Sequence, residues 1–372
     1  MNAEQLYTIA STVVEDVTDS DIISKFAGLQ NNLNTLASNP GDEKVQQSVE
    51  TLKGELYASM DALGKKRWPA GVQQTIEQLG GGILISDEIR EEIQNLFQTV
   101  SMTPVTVRDR INIIRSEIAS FIDKLNALIA AFQALNIEEE LLEPGEVELG
   151  VLIPREEIKN KLESFAIEVS NFDKIFKNFS VVAVGTREEF NLTYISASDL
   201  KFFIRPSAKT AALISATVTF ILTSLNQVVD LKTKYDEITA SGIDEKDLVG
   251  LKEGIHRKLE EDLEQFRNEM IEKYCAHKDK HDRHEDSNRL KIAIDHLAPR
   301  LERGYSLEVR VGPLPAPTDE ADEETKNANI EERDLFETLQ EDAQKLKRIV
   351  PTGPPVLSFP ESKTLDITEG DK

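Results

Sequence analysis

Apolar residues recur at steps of three and four over most of this chain, and the longest uninterrupted run is Ser207 to Tyr235. There Ile214, Val218, Ile221, Leu225, Val228 and Tyr235 form one stripe, which Leu213, Phe220 and Leu231 widen. No charged residue appears from Thr210 to Val229. The spacing predicts one long helix whose wide apolar face must be covered by other elements. Ile221, central in the stripe, is expected to be fully buried against the antiparallel hairpin strands of Phe190 to Tyr194 and Leu200 to Ile204 and against the helix of Ile158 to Phe179.

The same period predicts helices on both sides. Leu6, Ile9 and Val13, then Ile22, Phe26, Leu29, Leu33 and Leu36, describe two consecutive helices or one interrupted near Asp19 to Asp21. Asn39-Pro40-Gly41 ends them, and Val45, Val49, Leu52, Leu56 and Leu63 mark the next. The run Gly80-Gly81-Gly82 lacks the Gly-Lys-Ser or Gly-Lys-Thr of a phosphate loop and reads as a linker. Thr103-Pro104 is a cap followed by a first-turn proline. It opens the cleanest heptad repeat of the chain: Val107, Ile111, Ile114, Ile118, Phe121, Leu125, Leu128, Phe132 and Leu135. A repeat of that length makes a seam for a partner helix, in this chain or another.

After Pro144-Gly145 the period changes to two. Val147, Leu149, Val151 and Ile153 predict a strand, as do Phe190, Leu192 and Tyr194, then Leu200, Phe202 and Ile204, and last Leu307, Val309 and Val311. Between the first two strands a helix carries Ile158, Leu162, Phe165, Val169, Phe172, Phe176 and Phe179. The organising helix and the one after it, with Leu248 to Tyr274, form an antiparallel hairpin over 207–276, turning at Ser241-Gly242; each arm is about 45 Å long. A further helix carries Leu290, Ile294, Leu297 and Leu301.

The expected class is therefore mainly α, a coiled-coil-like bundle of long antiparallel helices with a small mixed sheet of about four strands in the C-terminal half, α+β overall. The expected domains are a helical one over 1–140 and an α+β one over 141–312. Residues 313–372 hold 15 Asp and Glu against 7 Lys and Arg, and predict a mostly disordered acidic tail. Within it lies a helix-prone island, 330–350, whose Leu335, Leu339, Leu346 and Ile349 can dock on a groove. The short apolar patch Val356 to Phe359 reads as a solvated end or a partner-binding segment.

The net charge of −24 argues against nucleic acid as a general partner. From Lys273 to Arg310 the balance is locally basic, but carboxylates interrupt it and no aromatic row accompanies it. The single cysteine, Cys275, excludes an intrachain disulfide, and Met1 to Tyr7 show no secretory pattern, so a cytoplasmic protein is expected, with a prokaryotic origin as part of the scaffold reading below. Thr210 to Val229 has the length of a membrane span. Eight of its twenty residues are Thr, Ser, Asn or Gln, which favours a soluble bundle.

Candidate chemistry is confined to one stretch. His277, His281 and His284, if carried on a continuous helix, share a face and could hold zinc or another divalent metal. Lys278, Lys280 and Arg283 are interleaved with them, as in a charged, solvated hinge. There is no Gly-x-Ser-x-Gly, no Rossmann fingerprint and no cysteine-nucleophile motif. The expected function is accordingly non-enzymatic: a scaffold or interaction subunit that meets protein partners or itself through helical seams, with no catalytic residue and no cofactor. The alternatives are a metal-dependent hydrolase or nuclease at the histidines, and a membrane-active effector, for instance of a bacterial immunity system, that inserts helix 210–229.

Overall fold

In a computed structural model of the chain the described residues are 3–63, 68–85, 88–98, 103–196, 200–240, 249–276, 278–313, 323–346 and 357. They divide into two compact units, Met1–Leu141 and Leu142–Lys372, each with its own apolar core.

The first unit is helical among its described residues: α1 (Ala3–Asp19), α2 (Ile22–Ser38), α3 (Glu43–Ala62), α4 (Ala70–Gln78), a short 3-10 turn at Gly82–Leu84, α5 (Glu88–Gln98) and α6 (Pro104–Ala134). The break between α1 and α2 falls at Asp21, whose φ of 54° is left-handed, so the two are separate helices. Thr103 caps α6 by accepting a hydrogen bond from the Thr106 N–H, with Pro104 in the first turn.

The α6 seam is filled within the same unit. Val107, Ile111, Ile114, Ile118, Phe121 and Leu125 are buried, and α1, α2 and α5 pack on the helix. Only at its end does the repeat lose cover, where Leu135 is exposed.

The glycine run is not a linker. Gly80, at φ +86°, ends α4 in the left-handed conformation, and the Gly81 N–H reaches back to the Ile76 carbonyl at 2.8 Å. A Cβ on Gly81 would lie 2.3 Å from the Phe121 ring, so this position must be bare to let the turn close on α6. Trp68 is buried nearby and donates its indole N–H to Asp16 at 2.6 Å.

The second unit begins with β1 (Val147–Leu152), a single turn α7 (Arg155–Ile158) and α8 (Leu162–Val184). There follow β2 (Asn191–Ser196), β3 (Lys201–Arg205), α9 (Ala208–Ala240), α10 (Val249–Cys275), α11 (Lys280–Glu302), β4 (Ser306–Val311) and α12 (Glu323–Lys345). The predicted turn at Ser241-Gly242 lies outside the described residues, as does Ile349.

The α+β class holds, but the sheet is antiparallel throughout rather than mixed, in the order β2-β3-β1-β4. The strands next to β1 are β3 and β4, which arrive after helical excursions that return the chain in the opposite direction. Spacing along a strand carries no information about that direction. Leu149 and Val151 pair with Ile204 and Phe202 on one side and Val309 and Leu307 on the other, and all six are buried on the same face.

On that face lies α9. It packs on α8, as expected, and on α10, α11 and α12, but the strands beneath it are chiefly β1 and β4 rather than the β2-β3 hairpin; Ile221 is 0% exposed. The stretch Ala208–Gln227, with mean hydropathy 1.5, is long and apolar enough to cross a membrane, and 67% of it is buried inside this unit. The island of the acidic segment is α12, and its stripe Phe336, Leu339, Ala343 and Leu346 is buried against α9 and β4. This helix is thus part of the second unit's core.

Replacing Ile221 with Asp puts an unpaired charge where no water reaches. Several kcal/mol are lost against a typical total of about 5–15 kcal/mol. The variant is expected to unfold or aggregate; a thermal melt superimposable on that of the wild type would remove α9 from the core.

Candidate functional site

The histidine-rich stretch is the junction of α10 and α11, and the helix does not run through it. α10 ends at Cys275, and α11 begins at Lys280 under an Asp279 cap that accepts the His281 and Asp282 N–H groups at 2.8 and 2.9 Å. Those two backbone donors hold the Asp279 carboxyl below its ordinary range. Arg283 closes the other helix: its Nε donates to the Cys275 carbonyl at 2.9 Å, a terminal nitrogen donates to the Ala276 carbonyl, and a third contact reaches Glu272. These are the free carbonyls and the negative dipole end that a cation satisfies.

His281 and His284 lie on the exposed side of α11. The His281 side chain is 81% exposed and its Nε2 stands 3.6 Å from Glu285. His277 lies outside the described residues, and the continuous helix that would set it one turn before His281 is interrupted by the cap. Among the described residues no group of three His, Cys, Asp or Glu is placed to hold a metal ion.

Behind the junction the buried Cys275 and Asp286 meet the half-buried Lys278 instead. Asp286 accepts from Lys278 Nζ at 2.7 Å and lies 3.4 Å from the Cys275 sulfur. Burial, then Asp286, pushes the Cys275 thiol up to about 11, so it is neutral at physiological pH and a poor nucleophile.

A second polar cluster joins α8 and α11 and includes Tyr305, the residue before β4. Arg300 grips Glu168 through Nε and a terminal nitrogen at 2.8 and 3.2 Å, and its other terminal nitrogen donates to the His296 carbonyl at 2.7 Å. The guanidinium stands 5.7 Å from the Phe172 ring centroid, and Tyr305 packs on the same ring at 6.0 Å. Burial, then the nearby Arg300 charge, lowers His296 to about 4, while burial and Glu168 raise the Tyr305 phenol. The set is one closed ion pair beside a neutral imidazole and a neutral phenol. It ties α8 to α11, and its one visible trace in the sequence is the placement of Glu168 and Arg300 among the apolar positions of their helices.

The third cluster covers the sheet face away from α9. Glu148, 0% exposed, accepts from Thr193 at 2.6 Å and from Arg310, and Lys201 meets Glu308 at 3.1 Å. The Phe203 ring lies over Gly150, where a Cβ would come within 2.5 Å of it. Arg310 stacks near that ring at 6.0 Å from its centroid.

No family model, curated protein or solved structure matches the chain. In all three clusters the carboxylate is matched by a cation of the same unit.

His296 makes a pH prediction. The folded protein keeps the ring neutral down to about 4, whereas the unfolded chain protonates it near 6.5. Protons therefore favour unfolding: the contribution is intact above 6.5, declines as pH falls and is lost at about 4, up to about 3 kcal/mol in all. Between pH 7 and 4.5, denaturant titrations should show wild type losing roughly 2 kcal/mol more stability than His296→Gln. Equal losses would mean that His296 titrates normally.

Proposed function

We propose that the chain is a non-enzymatic helical interaction subunit that works in the cytoplasm, and that it meets its partner through the N-terminal turns of α8 rather than through the long seams. The observation that carries this reading is the exposure of Leu162 and Ile167, 82% and 54%, on a helix whose later residues Phe172 to Phe179 are core. Two large aliphatic side chains on the first two turns of an ordered helix, about 140° apart around its axis, offer two separate apolar anchors to a partner that wraps this end. The α6 seam, by contrast, is already used inside its own unit. The closed pairing of Glu148, Glu168 and Asp286 supports a structural role for the interior polar groups, since general acid or base catalysis needs a group turned toward a reacting atom.

Light scattering and pull-down test the reading together. The expected result is a mass above the 41.7 kDa of one chain, or a specific protein recovered with it. Either should be lost in Leu162→Asp/Ile167→Asp with an unchanged thermal melt, because both side chains are on the surface. A compact 41.7 kDa monomer at every concentration, with nothing recovered, would overturn it.

A further inference from the structure

The end of α11 holds an arrangement that neither the core nor the proposed function uses. Glu302 and Arg303, consecutive residues, reach the backbone of a single distant residue, Leu357. The Leu357 N–H donates to Glu302 Oε2 at 2.8 Å, and a terminal nitrogen of Arg303 donates to the Leu357 carbonyl at 2.9 Å. Arg303 is steadied by its other terminal nitrogen, which donates to the Pro299 carbonyl at 2.7 Å. Gly304, at φ +84°, ends the helix at this point. The Leu357 side chain is half-buried and packs against the second unit's apolar core.

One acceptor and one donor aimed at the N–H and C=O of the same residue reproduce with side chains what a neighbouring strand offers in a ladder. This is how backbone affinity is supplied in the recognition of extended peptides, while a recess for the side chain supplies selectivity. The ligand's own chemistry matches. Val356-Leu357-Ser358-Phe359 stands between Pro354-Pro355 and Pro360, so these four residues carry the N–H groups of that stretch. Prolines on both sides bias the free chain toward extended conformations and reduce the ordering cost of binding.

We propose that Glu302 and Arg303 form a binding site for an extended, proline-flanked apolar segment, and that Leu357 of the same chain fills it. The site recognises a leucine through its backbone pair and its apolar side chain, and it exchanges the internal segment for the same sequence supplied as a separate peptide.

The test uses the full chain and a labelled synthetic peptide corresponding to residues 351–363, followed by fluorescence anisotropy. Leu357→Asp vacates the site and should bind the peptide at least about tenfold more tightly than wild type, in which the tethered segment competes at high effective concentration. Adding Arg303→Ala, or using a peptide with Asp in place of its leucine, should abolish that binding. Equal binding by wild type and Leu357→Asp, or no binding by a Leu357→Asp protein that melts cooperatively, would overturn the proposal. Hydrogen exchange gives a reading without altering Leu357: its amide should exchange at least about tenfold more slowly in the wild-type chain than in the free peptide, and Glu302→Ala should remove the protection. Exchange at the free-peptide rate in wild type would refute the site.

Discussion

Twenty consecutive residues without a charge, Thr210 to Val229, make an apolar helix face that needs cover, and the second unit buries most of it. β1 and β4 meet edge to edge from positions about 160 residues apart, and together they give α9 a floor of Leu149, Val151, Leu307 and Val309. α8, α10, α11 and α12 supply the remaining cover. Apolar burial at about 25 cal/mol per Å² makes this non-directional contact the dominant favourable contribution. It also explains why an acidic segment with few apolar residues nevertheless contributes α12, whose Phe336 and Leu339 are fully buried.

Where carboxylates enter this interior, Glu148, Glu168 and Asp286 each meet a cation, whereas Asn178 Nδ2 and Ser215 Oγ are buried without a hydrogen-bond partner. Arg300 with Glu168 and Arg310 with Glu148 join elements far apart in sequence, and Lys278 with Asp286 fixes the α10–α11 junction onto the start of α11. Such pairs add little net stability, because desolvating both charges offsets much of their attraction, but breaking one leaves a charge that the interior cannot solvate. They therefore act on register. Glu148 faces Arg310 only when β1 and β4 are aligned as they are, and a slip of one residue would turn Glu148 toward α9.

Much of this was legible in the sequence, for a definite reason. Periodicity reports which face of an element is buried, so α6 with its Thr103-Pro104 start, the strands at Val147 and Leu307, and the burial of Ile221 could all be read from spacing. It does not report what covers that face. The α6 seam could have belonged to another chain, and α12 read as an island in a tail, because stripes of aliphatic residues carry no address. The histidine face depended on an unbroken helix, and Asp279 interrupts it as an N-cap, a role that Asp residues flanked by charges do not advertise. Glu168 and Arg300 were the missed opportunity: a charge three residues after Phe165 and four before Phe172 sits on a core stripe, and such a position calls for a partner.

The central claim is that α9 is the most deeply protected element of the second unit and that the strands and helices around it depend on its burial. Native-state hydrogen exchange measures this residue by residue. The account predicts that the amides of Leu213 to Leu222, together with Leu149 to Val151 of β1, exchange most slowly in the unit and through a single cooperative opening. Amides of α9 that exchange faster than those of α8 and α11 would contradict it, because the surrounding elements would then be holding together without the helix they are built to cover.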